Sequence, residues 1–101
     1  DHAFFSYDDW FIGSTPANFG ILEKDIQNTK MFKYNDIESL KKIFDKYPGK
    51  ISCVILEPSV TEHPRDNFLQ KVKDLCHKNG AVFILDEMIT GFRWHLKGAQ
   101  Y

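Results

Sequence analysis

Two apolar stretches, Ile51-Ser-Cys-Val-Ile-Leu56 and Ala81-Val-Phe-Ile-Leu85-Asp86-Glu87, decide how this chain folds. Each is short, carries β-branched side chains and follows a glycine, Gly49 in the first case and Gly80 in the second. Such unbroken runs predict strands buried on both faces, since a strand with a wet face alternates apolar and polar residues. Between them Phe68, Leu69, Val72, Leu75 and Cys76 recur at helical spacing. Lys71, Lys73, Asp74 and Lys78 fall on the opposite side, and Asn79-Gly80 closes the segment. Strand, helix and strand in about 35 residues make a βαβ unit, with parallel strands joined by a right-handed crossover.

Working outward, an earlier helix is predicted from the stripe Ile37, Leu40, Ile43 and Phe44. Asn35 serves as its cap, Glu38 follows three residues later, and Pro48-Gly49 stops it. Towards the N-terminus, Gly13-Ser-Thr-Pro16 and Asn18-Phe-Gly20 are turn signals. Asp8 to Gly20 is therefore expected as loop with a short helical turn, and Thr29 to Tyr34 as an edge strand. The expected organisation is an irregular or edge segment over residues 1–34, then a helix, the βαβ unit and the Asp-Glu strand end over 35–101. The fold class is α/β, and its sheet requires further strands and helices to cover both faces.

Composition narrows the function. Lys+Arg 13 against Asp+Glu 14 gives a net charge of −1, so no basic field exists to neutralise phosphates and nucleic acid is not an expected partner. No apolar run reaches the roughly 18–20 residues that span a bilayer, and the N-terminus lacks a basic-then-apolar leader. No membrane partner is expected. Cys53 and Cys76 sit within apolar segments at a spacing that is neither a zinc nor a CxxC pattern, which predicts buried reduced thiols and a cytoplasmic chain. Because the chain starts at Asp1 and ends without a tail or stop signal, it is expected to be a section of something longer.

The sharpest chemical signal is the acidic pair Asp86-Glu87 at the carboxyl end of an apolar strand, the edge of open α/β sheets where ligands bind. The alternative role for Asp86 is that of a turn former or cap. A magnesium-binding pair of the P-loop type requires GxxxxGK[ST]. Gly49-Lys50 is followed by Ile51 and has no glycine five residues earlier, which excludes it. His63, His77 and His95 lack ligand spacing and are expected on the solvated surface, so no metal site is predicted. Nothing supports a Ser/His/Asp hydrolase. Arg93 is a candidate for a carboxylate or phosphate, or a partner for local acids.

Extended, the run Asp86-Glu-Met-Ile-Thr-Gly-Phe-Arg93 resembles the Asp-Glu-Val-x-Thr-Gly-Phe-Arg signature of the class III aminotransferases that use pyridoxal phosphate, in their glutamate-1-semialdehyde 2,1-aminomutase-like branch. Ile51-Ser-Cys-Val-Ile-Leu-Glu57-Pro58 resembles the preceding strand of that family, and Phe68 to Ala81 the helix between. Asp9-Trp-Phe-Ile-Gly-Ser-Thr15 and Gly98-Ala99-Gln100 resemble flanking stretches. The resemblance implies a three-layer, mainly parallel sheet with flanking helices, of which this chain is a central part of the large domain of a fold-type I enzyme.

It also implies roles. Asp86 would hold the pyridine nitrogen of pyridoxal 5'-phosphate protonated, and Met88 would pack on one ring face. Phe4 aligns with the aromatic on the other face. Phe4-Phe5-Ser6 stands where relatives read Tyr-His-Gly, so His2 and Phe5 remain alternatives. Glu57 is expected near the cofactor edge, and Glu62 at a polar or acidic active-site position. Ile89 occupies a place where many relatives carry glutamine, in keeping with the aminomutase-like branch. The implied reaction moves an amino group on a small amino acid, keto or aldehyde substrate, in a homodimer with its site near the subunit interface. No catalytic residue is assigned within this chain. Lys97 is the only lysine after Asp86 and its setting does not match the family's Schiff-base lysine, which is expected beyond Tyr101. The phosphate cradle is expected before Asp1. The 101 residues alone are accordingly expected to be inactive, without appreciable cofactor affinity. The competing reading is a non-catalytic α/β interaction domain, for which a closed core and an occluded Asp86 would speak.

Overall fold

The computed structural model describes residues 7–59 and 61–101, so the candidates His2, Phe4 and Phe5 lie outside the described residues. The chain divides into two compact units, residues 1–32 and 33–101. In the first, the expected helical turn is α1 (Asp9–Ile12), and a second turn, α2 (Glu23–Ile26), has no signal in the sequence. A Cβ at Gly13 would lie 2.7 Å from Ile26 Cγ1 and 2.9 Å from the Asp9 carbonyl, so the absence of a side chain lets these two turns approach.

The second unit is built from α3 (Ile37–Lys46), β1 (Cys53–Leu56), α4 (Phe68–Lys78) and β2 (Val82–Leu85). β1 and β2 pair in parallel, with Cys53 opposite Val82 and Leu56 opposite Leu85, as the βαβ reading requires. α4 packs on β2 and α3 packs on α4. Leu40 and Phe44 of α3, Val54 and Leu56 of β1, and Phe68, Val72 and Cys76 of α4 are buried. The last three recur every four residues, the stripe that α4 turns inward. Asn79 ends α4, its side-chain amide donating to the Leu75 carbonyl at 2.8 Å.

Three expectations need correction. The strands are covered on one face, not both. Residues opposite one another in a parallel ladder share a face. Val54, Leu56, Phe83 and Leu85 lie on the covered side, while Val82 (60% exposed) and Ile84 (38%) lie on the open one. An unbroken apolar run cannot tell two covered faces from one, and the described helices supply a single layer. Cys53 shares the open face and is exposed, whereas Cys76 is buried and its thiol is pushed up to about 11 by burial and by Cys53.

The second correction concerns Thr29 to Tyr34, which form no strand. A strand requires a ladder partner, and β1 and β2 pair only with each other among the described residues. The third concerns the cap of α3. Asp36, not Asn35, accepts the Ser39 N–H at 3.0 Å, and Glu38 pairs with Lys41 at 3.8 Å. Asn35 adopts a left-handed conformation, φ 59°, that sends its side chain to another segment.

Candidate active site

The parallel ladder runs one residue past β2, where the Asp86 N–H donates to the Leu56 carbonyl at 2.9 Å. That bond brings Asp86 to the same sheet edge as Glu57, the residue after Leu56. Asp86 is half-buried, and its Oδ1 accepts the Met88 N–H at 2.8 Å. The Glu57 carboxyl is pushed above its usual range, first by burial and then by the charge of Asp86. Two of the expected site residues thus meet electrostatically at the carboxyl edge of the sheet. Neither is in an ion pair among the described residues.

Met88 is 88% exposed and so takes no part in the core. Ile89, Phe92 and Leu96 are exposed as well, and Phe92 takes a left-handed conformation, φ 59°. Arg93 is exposed and in no ion pair among the described residues.

Glu62 belongs to a different network. Its Oε2 accepts the Asn35 side-chain amide at 2.9 Å and pairs with Arg65 at 2.5 Å, and these contacts hold its carboxyl below the usual range. Asn35 also donates to the His63 carbonyl and accepts the Arg65 N–H at 2.9 Å, so it ties the chain before α3 to the loop after β1. Tyr34 reinforces the tie by donating its hydroxyl to the Pro58 carbonyl at 2.5 Å. Its pKa is pushed up to about 12 by burial and then by Glu62. Ser59, 4% exposed, donates to the Glu62 carbonyl and lies 3.1 Å from His63 Nδ1. No hydrogen bond of Glu62 reaches Asp86 among the described residues, and in this structure its carboxylate fixes the loop after β1.

His63, His77 and His95 are exposed, as expected. His63 meets the edge of Trp94 at 5.3 Å, and His95 stacks on Tyr101 at 4.4 Å. Lys97 lies over the Tyr101 ring, 4.2 Å from its centroid. No group of three or more potential metal ligands exists among the described residues, and no described helix is long and apolar enough to cross a membrane. An open cleft of about 340 Å³ runs beside α4 and β2, lined by Phe68, Lys73, Phe83, Leu85 and Gln100 among others, but neither Asp86 nor Glu57 lines it.

Sequence reasoning missed the work of Glu87. Its Oε2 accepts the Thr90 hydroxyl at 2.5 Å and the Ala99 N–H at 2.9 Å, and its Oε1 accepts the Gln100 N–H at 3.2 Å. Partial burial raises its pKa, but these bonds together outweigh that effect and hold it below the usual range. The one sequence signal for this contact is Gly98, which shares no periodicity with Glu87 and so points to no partner.

A model of the family described as aminotransferase class-III matches residues 10–95. The chain is 46% identical over 91 residues to the glutamate-1-semialdehyde 2,1-aminomutase of Wigglesworthia glossinidia brevipalpis, covering 86% of this chain and 21% of that protein. It is 43% identical over 90 residues to the protein so named in Thermosipho africanus, covering 85% and 21%. With that of Clostridium tetani it shares 39% identity over 89 residues, covering 84% and 21%. The chain therefore spans about a fifth of the length of these curated relatives.

Proposed function

The chain belongs to the class-III aminotransferase family, and on that premise we propose that Asp86 is the carboxylate that holds the ring nitrogen of pyridoxal phosphate in its protonated form. The observation that carries this reading is the strand-end pair. Asp86 and Glu57 meet at one edge, Glu57 titrates high because of burial and Asp86, and no cation is paired with either among the described residues. A protonated ring nitrogen is the kind of cation such an edge accommodates, through an ion pair and a charge-assisted hydrogen bond. The ladder bond from the Asp86 N–H to Leu56 fixes the carboxylate on a strand instead of a loop. The exposed Met88 thioether is available to pack on a ring face, and Glu57 borders the same site.

When bound, pyridoxal phosphate supplies an electron sink for the pair left as a substrate amine loses its α-proton. The part of this chain is to bind and orient: Asp86 holds a proton at the ring nitrogen and Met88 restrains the ring plane. We assign the Schiff-base lysine and the phosphate cradle to other sections of a longer protein. The 101 residues are then a central section of its large domain, with its three-layer, mainly parallel sheet. The open sheet face bearing Val82 and Ile84, and relatives about four times as long, support that reading over a self-contained interaction domain. The whole protein moves an amino group on a small amino acid, keto or aldehyde substrate, as glutamate-1-semialdehyde aminomutases do. It works in the cytoplasm as a homodimer with its site near the subunit interface.

Kinetics of the longer protein test the assignment. Asp86→Ala lowers kcat/KM by at least about a hundredfold, as losing a preorganised charge contact at a reacting group does, and a loss below about threefold would overturn it. The 101-residue chain by itself, titrated with pyridoxal phosphate, gives no saturable absorbance change.

A further inference from the structure

Asp86 and Glu87 are neighbours in the chain, yet their carboxylates are used in opposite ways. That of Asp86 bonds only to the Met88 N–H among the described residues, at 2.8 Å, and is left facing the sheet edge. That of Glu87 is saturated by Thr90, Ala99 and Gln100. Thr90 is 3% exposed, and the Gly91 N–H closes back on the Glu87 carbonyl at 2.8 Å, so the chain from 87 to 100 is gathered around one carboxylate. Gly98 completes the arrangement. It sits at φ +93°, and a Cβ there would run into the Glu87 carboxylate.

The consequence falls on Asp86. Its own N–H is held by Leu56, and the Glu87 carbonyl after it accepts the Gly91 N–H in a turn that the Glu87 carboxylate fastens through Thr90, Ala99 and Gln100, so the main chain is tied on both sides of Asp86. With the peptide planes on either side fixed, few side-chain rotamers remain open, and the Met88 N–H selects one. We propose that Glu87 is a positioning residue: by anchoring Thr90 and residues 98–100 it sets the rotamer in which Asp86 presents its carboxylate at the sheet edge. The inference takes its functional meaning from the assignment of Asp86 to the ring nitrogen, but its geometry can be measured without cofactor.

Amide hydrogen exchange and side-chain coupling constants in the longer protein, free of cofactor, supply the test. In Glu87→Gln, one acceptor oxygen becomes a donor amide, and exchange at Ala99 and Gln100 speeds up by about tenfold or more. Met88 exchange speeds up in parallel, and the Asp86 χ1 couplings move from one rotamer towards averaged values. Gly98→Ala, which crowds the same carboxylate from the other side, gives the same pattern. Protection at Val54 and Val72 reports whether the fold is intact. If Ala99 and Gln100 open while Met88 protection and the Asp86 rotamer stay unchanged, Glu87 is only a loop fastener and the proposal fails. It fails also if Ala99 and Gln100 are unaffected. Should both variants unfold, the wild-type chain decides. Met88, Ala99 and Gln100 then exchange with a common opening equilibrium if the proposal holds and with separate ones if it does not. None of these readouts involves the cofactor, so loss of the ring-nitrogen assignment and loss of this positioning role are separate results.

Discussion

The βαβ core and the segment after β2 are held by different forces. From β1 through α4 to β2 the chain is secured by apolar burial, with Val72 and Cys76 at 0% exposure and Phe68 at 2%. From Met88 to Tyr101 the large apolar side chains point outward, Leu96 at 83% and Phe92 at 83% exposed, and the fastening is the polar contact of Glu87. The first region gets its stability from area removed from water, the second from charge-assisted hydrogen bonds that fix direction. This contrast suits a site: a stiff strand delivers Asp86, and a polar anchor shapes residues 88–100 without covering the carboxylate.

Each half of that contrast can be broken by substitution. The largest effect is expected at Phe68, whose ring lies 5.0 Å from that of Tyr34. Phe68→Ala lowers unfolding free energy by about 3–5 kcal/mol in a denaturant titration, and a loss below about 1 kcal/mol would mean the core is not where stability lies. Next comes Glu87→Gln, at about 1 kcal/mol near neutral pH, since solvent screens a carboxylate at this depth. Because the folded state holds the Glu87 carboxyl below its usual range, that stabilisation is present above the ordinary carboxylate pKa and is lost as pH falls through the folded value. The gap between wild type and variant therefore closes in acid, and a constant gap would show that the charge is not involved.

Glu57 has the opposite sign. Its folded pKa is raised, so its contribution is most favourable below the usual carboxylate range and declines as pH rises through the folded value. Glu57→Gln accordingly stabilises the 101-residue chain at neutral pH, by less than about 1 kcal/mol at this partly exposed edge, and the gain disappears in acid. A loss of stability at neutral pH would contradict the strand-end repulsion. The smallest effect is expected from Leu96→Ser in the exposed segment, within about 0.5 kcal/mol either way. A larger loss would show that this segment is apolar-fastened after all.

The same division explains which features were legible in the sequence. Periodicity is a record of burial, and it located α3, α4 and both strands because Leu40, Phe44, Val72 and Cys76 are buried at regular intervals. It overstated the sheet, since an apolar run such as Val82 to Leu85 reads alike whether one face or two are covered. It also misplaced the α3 cap, because Asn35 and Asp36 are both capping types and only the left-handed turn at Asn35 separates them. Contacts between polar residues far apart in sequence leave no period: Asn35 with Glu62, Tyr34 with Pro58 and Glu87 with Ala99 are 27, 24 and 12 residues apart. At the candidate site the resemblance singled out Asp86 and Glu57. The structure adds their common edge and shows Glu62 engaged elsewhere.

The ring nitrogen itself offers the most direct measurement. In the longer protein loaded with cofactor labelled with ¹⁵N at the pyridine position, the nitrogen resonance of the wild type sits at the protonated position at neutral pH. In Asp86→Ala it moves to the neutral-pyridine position, because the carboxylate that favoured the charged form is gone. An identical, protonated resonance in both proteins would contradict the account, since another group would then be holding that proton.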